Sequence, residues 1–183
     1  DDLSQTSVFT GQVVATKGTA AAIAEAGLRA GAARVLVSGP ALSADFTLVV
    51  GANEAGLTPG HRVVSNASCT TNALAPLARL IDEAWGIETG WMTTIHCYTG
   101  SQPTVDAPAA DFSRSRAAAL SMVPTTTSAQ RLLDTVLPQI AGRIEGSAVR
   151  VPTASVSAVD LAVMTERPTT AEAVNAVLAA AGG

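Results

Sequence analysis

The chain has 183 residues, 48% of them hydrophobic but only 3% aromatic, with a formal net charge of −4. That length can bury a core built from Ala, Val, Leu and Ile. The acidic balance, with no basic block, argues against nucleic acid or an anionic membrane surface as a partner. No apolar run is long enough to span a membrane, no signal peptide opens the sequence, and the two cysteines, Cys69 and Cys97, do not make a disulfide scaffold. The expectation is a cytoplasmic chain with reduced thiols.

Asp1 to Ser7 is polar, and Val8-Phe9-Thr10-Gly11 reads as a strand end and its turn. Ala20, Ile23, Ala24 and Leu28 fall at helical spacing and predict a helix within Ala15 to Ala33, with Gly31 as its stop. Arg34 to Val37 is a short apolar run closed by Ser38-Gly39-Pro40, hence a buried strand and a tight loop. Asp45 to Val50 predicts another strand, Gly51 to Pro59 a loop, and Val63-Val64 a last strand. Leu74, Leu77, Ala78, Ile81 and Trp85 then mark a helix opening near Cys69. Gly90 to Tyr98 reads as a long strand, and Thr99 to Ser121 as a long loop with a function of its own. Ser128 to Leu137 predicts an amphipathic helix stopped by Pro138. Arg143 to Val151 and Val156 to Thr165 are strands around Pro152, and Thr170 to Ala181 is a helix capped by Gly182-Gly183.

Cys69 lies between small hydroxyl and amide residues, after a strand and at the start of a helix. Ser68 or Thr70 is placed to cap that helix. A cysteine there meets the positive end of the helix dipole, which favours the nucleophilic thiolate. The alternative is a small buried apolar residue, a common fate of cysteine. His96 comes late in the next strand and offers a general base, or else a hydrogen-bonded core histidine. Ser68, Thr70, Thr99, Thr127, Arg114 and Arg150 are suited to anions. Arg150 stands out because it lies between Val149 and Val151 in an apolar strand. Cys97 is expected to point away from His96 and to be structural.

The segments SNASCTTN (Ser65 to Asn72), MTTIH (Met92 to His96), RSRAAA (Arg114 to Ala119), PTTT (Pro124 to Thr127), RVPT (Arg150 to Thr153) and VSAVDL (Val156 to Leu161) occur in this order. Together they resemble the glyceraldehyde-3-phosphate dehydrogenases. The resemblance implies an α/β chain: residues 1–68 as the end of a Rossmann-type NAD-binding domain, and 69–183 as an incomplete α+β catalytic domain with a mostly antiparallel sheet. It implies Cys69 as the nucleophile toward the aldehyde and His96 as its base. Thr99 and Arg150 match the site for the substrate's own phosphate. Ser68, Thr70, Thr127 and Arg114 match the site for attacking phosphate, with Ser128 standing where the family has Gly. Thr10, Gly11 and Ser38 match positions near the dinucleotide.

The implied reaction is oxidation of glyceraldehyde 3-phosphate to 1,3-bisphosphoglycerate with NAD and inorganic phosphate, through a thioester on Cys69. The loop from Thr99 to Ser121 resembles one that lies against a neighbouring subunit of a homotetramer. Pro108 resembles NAD-using rather than NADP-using members. Ser155 stands where the family usually has Asn, and Ala73 where many members carry a second cysteine. No G-x-G-x-x-G turn is present, and the family's chains are nearly twice as long. The expectation is therefore an internal fragment. Erythrose-4-phosphate dehydrogenase, a catalytically inactive truncated piece and, more distantly, a thiol hydrolase are the alternatives.

Overall fold

Short β-branched runs punctuated by glycine and proline build the first of two sheets, as seen in a computed structural model that describes residues 6–9, 12–15, 20–109 and 111–182. The chain divides into two units, Asp1–Arg79 with Arg131–Gln139, and Leu80–Gln130 with Ile140–Gly183.

In the first unit the sheet contains β1 (Thr6–Phe9), β2 (Gln12–Ala15), β3 (Arg34–Val37), β4 (Phe46–Thr47) and β5 (Val63–Ser65), in the order β1-β2-β3-β5-β4. Only the β1–β2 pairing is antiparallel. Helix α1 (Ala20–Arg29) lies between β2 and β3 in the chain and within the span that the helical spacing implied, although Ala15, at the start of that span, ends β2 instead. Gly31 closes it with φ +94°, a conformation that glycine adopts at little cost. Ala24, Ala32, Val35, Val37, Ala41 and Val63 form one buried cluster, with Leu28 and Ala44 packed on it. Small side chains thus make the core that the scarcity of aromatics demanded.

The strand expected over Asp45 to Val50 shrinks to Phe46–Thr47. The cause is Asn53. Its amide nitrogen donates to the Thr47 carbonyl at 2.8 Å, and its oxygen accepts from the Val49 N–H at 2.9 Å. A side chain that satisfies the backbone locally removes it from the ladder. Asp45 secures the other end of β4. One of its carboxylate oxygens accepts from the N–H groups of Arg62 and Val63, both at 2.8 Å.

Helix α2 (Cys69–Trp85) follows β5. Gly86, at φ +73°, ends it. Arg167 then donates from its side chain to the Ala84 carbonyl at 2.7 Å and from its backbone to that of Trp85 at 3.0 Å, which satisfies the helix end.

The second unit holds β6 (Ile87–Cys97), β7 (Val123–Thr125), β8 (Ile144–Val151) and β9 (Ala158–Thr165), in the order β7-β8-β6-β9. The sheet is mixed. Its two outer pairings are antiparallel, but the central β6–β8 pairing is parallel. The expected antiparallel character therefore holds only at the flanks. The long connection from β6 to β8, which carries β7 and α3 (Ala129–Val136), is what lets β8 return parallel. Gly146 lies opposite Met92, and a Cβ there would sit 2.5 Å from the Met92 carbonyl oxygen, so only glycine fits this close approach.

The Thr99–Ser121 connection contains no strand among its described residues, only a tight helical turn at Ser113–Ser115. It is tied to itself. Asp106 accepts from the Ala117 N–H at 2.8 Å and pairs with Arg116 at 3.2 Å. Helix α4 (Ala171–Ala181) starts on Thr170, whose hydroxyl accepts from the Ala173 N–H at 3.2 Å. Gly182 follows it with φ −78° and donates its N–H to the Leu178 carbonyl at 3.1 Å, and Gly183, the second residue of the expected cap, lies outside the described residues. Among the described residues no helix is long and apolar enough to cross a membrane.

Candidate active site

Cys69 is delivered by a turn that is wired at every step. Strand β5 ends on Ser65, which is fully buried. Its hydroxyl donates to the Gly39 carbonyl at 2.9 Å and accepts from the N–H groups of Ala67 at 3.1 Å and Ala41 at 3.2 Å. The Asn66 N–H donates to the Val37 carbonyl at 2.9 Å. Ala67, also buried, adopts φ +54°, an uncommon conformation for a residue with a Cβ. Such strain persists only where the surroundings over-determine it, and it clusters at functional positions. Here it reverses the chain sharply from β5 into α2.

Ser68, rather than Thr70, caps the helix. Its hydroxyl accepts from the Thr71 N–H at 3.1 Å and shares a 2.7 Å hydrogen bond with the Thr71 hydroxyl. Asn72 reaches back to the carbonyls of Asn66 at 2.8 Å and Ser68 at 2.9 Å. Cys69 is the first residue of α2 and is exposed, which removes the buried-filler alternative. Thr70 is buried. Ser38 lies exposed just past the end of β3, on the loop that Ser65 holds against the cysteine turn. Loops beyond the carboxyl ends of parallel strands are where open α/β sheets bind ligands. Thr10 and Gly11 lie outside the described residues.

The second unit carries His96 and Arg150. They are direct partners in the parallel β6–β8 register. Arg150 Nη1 donates to His96 Nδ1 at 2.7 Å and to the Cys97 carbonyl at 2.9 Å. His96 Nδ1 itself lies 2.7 Å from that carbonyl oxygen. Cys97 does not turn fully away, as strand alternation had suggested. The His96 ring folds back over the next peptide and brings Nδ1 to 3.7 Å from Cys97 Sγ. Ser157 completes the group, accepting from the Cys97 N–H at 3.1 Å.

Thr99 shares a 2.9 Å hydrogen bond with Ser101. Arg114, exposed, grips the Thr125 hydroxyl through Nε at 2.9 Å and Nη2 at 2.5 Å. Thr127 accepts from the Ala129 N–H at 3.1 Å and so caps α3, with Ser128 exposed beside it. Among the described residues no group of three or more His, Cys, Asp or Glu side chains could hold a metal ion.

A family model described as "Glyceraldehyde 3-phosphate dehydrogenase, C-terminal domain" matches residues 68–182. The chain belongs to this family. A glyceraldehyde-3-phosphate dehydrogenase of Xanthobacter flavus is 55% identical over 86% of the chain and 48% of its own length. One from Cereibacter sphaeroides is 54% identical, covering 86% and 47%, and one from Geobacillus stearothermophilus 50%, covering 84% and 46%. The chain thus spans about half the length of the curated relatives it matches.

Three features of the site escaped sequence reasoning. Ser65 and Thr125 act through side-chain bonds to distant or neighbouring groups, and nothing local flags them. The His96–Arg150 contact depends on strand register over 54 residues; the signal available was an arginine inside an apolar strand.

Proposed function

We propose that this chain carries the catalytic residues of a phosphorylating, NAD-dependent glyceraldehyde-3-phosphate dehydrogenase of glycolysis. The observation that carries the proposal is Cys69, exposed at the start of α2 behind a strained, fully bonded turn, in a chain of this family. In this reading residues 1–68 close the cofactor domain and 69–183 belong to the catalytic domain.

The Cys69 thiolate, presented at the start of the 17-residue α2, adds to the substrate aldehyde. His96 takes the thiol proton and returns it during acyl transfer. Arg150 and Thr99 hold the substrate's phosphate. Arg114, with Ser68, Thr70, Thr127 and Ser128, receives the phosphate that cleaves the thioester and leaves as acyl phosphate. Ser68 and Thr127 keep their capping bonds while doing so, which holds their hydroxyls in place.

The residues present fit a dinucleotide at one point: Ser38, exposed beyond β3 on the loop bonded to the cysteine turn, would meet the nicotinamide end, and Thr10 and Gly11, outside the described residues, are assigned to the same cofactor by the family resemblance alone. When bound, NAD supplies the hydride acceptor. A homotetramer is the proposed assembly, supported by Val105, Phe112 and Leu120, which are exposed on the Thr99–Ser121 connection. We infer a cytoplasmic setting from the family.

The test is reduction of NAD by the protein carrying these residues, with glyceraldehyde 3-phosphate and phosphate. Turnover that requires both and is lost in Cys69→Ala is the expected result. Faster turnover of erythrose 4-phosphate would move the assignment to that aldehyde. The chain's half-length match favours a second reading, in which these residues alone do not turn over. Micromolar NAD affinity by calorimetry for the isolated chain would overturn that second reading.

A further inference from the structure

Three groups meet at the end of β6 in an arrangement whose hydrogen bonds cannot all form together. Arg150 Nη1 is 2.7 Å from His96 Nδ1, and Nδ1 is 2.7 Å from the Cys97 carbonyl oxygen. A guanidinium only donates, so the first contact requires a lone pair on Nδ1. A carbonyl only accepts, so the second requires a proton there. Charge settles the conflict: Arg150 also donates to the same carbonyl at 2.9 Å and so satisfies it, whereas a proton on Nδ1 would be set against the guanidinium cation at 2.7 Å. With Arg150 in place, the neutral ring carries its proton on Nε2. A ring in that tautomer cannot accept a proton at Nε2.

We propose that Arg150 is a positioning residue that sets the tautomer of His96, and that a phosphate monoester binding Arg150 switches the ring into its base form. This rests on the reading of Arg150 as the ligand of the substrate's phosphate. A phosphate dianion offers the guanidinium a charge-assisted, bidentate partner, stronger than a neutral imidazole nitrogen. As Arg150 turns to it, one proton leaves Nε2 to water and another from water arrives on Nδ1, with no net change of charge. Nδ1–H then donates to the Cys97 carbonyl, and the Nε2 lone pair becomes available. The base is thus armed by the part of the substrate that does not react, which coupled binding can achieve only through such a difference in contacts.

The protein supplies its own reference. His61 Nδ1 accepts from the Thr58 N–H at 3.1 Å, which places that ring's proton on Nε2 whatever occupies Arg150. Ring nitrogen-15 spectra of labelled protein, at about pH 8.5 where an ordinary imidazole is neutral, distinguish the two tautomers. The expected result is Nε2–H for both histidines in the free protein. Saturating glycerol 3-phosphate should exchange the two nitrogen signals of His96 and leave those of His61, which also report that the fold is intact. Arg150→Gln should show the exchanged His96 pattern without ligand.

An Nδ1–H tautomer of His96 in the free protein, or no exchange in Arg150→Gln, would overturn the proposal. Glycerol 3-phosphate that perturbs the backbone signals of Thr99 and Arg150 without moving the His96 tautomer would overturn the switch and leave the phosphate site standing. No perturbation there at millimolar concentration would overturn the phosphate-site assignment, and with it the trigger.

Discussion

The turn that presents Cys69 and the strand ends that present His96 are held by different means. The hydrogen bonds described around the Cys69 turn join Ser65 to Asn72, eight consecutive residues, to one another and to Val37, Gly39 and Ala41. The constraints on His96 come from a strand 54 residues away and from Ser157, 60 residues from Cys97. A local device tolerates change elsewhere in the chain. A device made of register fails whenever the register does. The difference also explains the close approach of Gly146 and Met92, four positions before the His96–Arg150 pair in the same ladder.

Breaking the register should have the largest effect on stability. Gly146→Ala places a Cβ against the Met92 carbonyl, and the strain should cost about 3 kcal/mol. Urea unfolding would show this, and His96 should lose its contact with Arg150 while the Cys69 turn keeps its hydrogen bonds. A fully stable Gly146→Ala variant would show that β6 and β8 are further apart than described.

The turn can be taken apart in two grades. Ser65→Ala strips partners from one carbonyl and two N–H groups in a buried setting and should cost about 2 kcal/mol. Ser68→Ala removes only a helix cap and should cost about 1 kcal/mol. The same unfolding measurement ranks them, and the reverse order would mean that the cap, not the buried hydroxyl, holds the turn.

The smallest effect concerns Asp45. Hydrogen bonds from the N–H of Val63, then of Arg62, hold its carboxyl below the usual carboxylate range. Its charged form is favoured by folding, so its contribution is complete above that range and disappears as pH falls through the folded value. Asp45→Ala should therefore be slightly less stable than the parent chain at pH 7, with the gap closing under strong acid. A gap that persists at low pH would point to lost packing instead.

The same contrast governs what could be read from sequence. Strands β3 and β5, helices α2 and α4 and the stop at Gly31 follow from runs, periods and single residues. Strand β2 is a four-residue run that ends on Ala15, where the alanine-rich helical span begins, and β7 is only three residues around a proline. The truncation of β4 depended on the Asn53 amide, whose bonds to Thr47 and Val49 no periodicity reveals. At the site, Cys69 and its cap were legible because their partners are neighbours. The Arg150 bridge to His96 and the Cys97 carbonyl was not, because it exists only once two strands are aligned. The mixed character of the second sheet has the same origin.

The central claim is that Cys69, not Cys97, is the nucleophile, although Cys97 Sγ lies 3.7 Å from the His96 ring. It is tested most directly by supplying glyceraldehyde 3-phosphate and NAD without phosphate, quenching in acid and mapping the acyl group by peptide mass spectrometry. The account predicts acylation of the peptide containing Cys69, discharged when phosphate is added before the quench. An acyl group on Cys97, or one on Cys69 that phosphate does not remove, would contradict it.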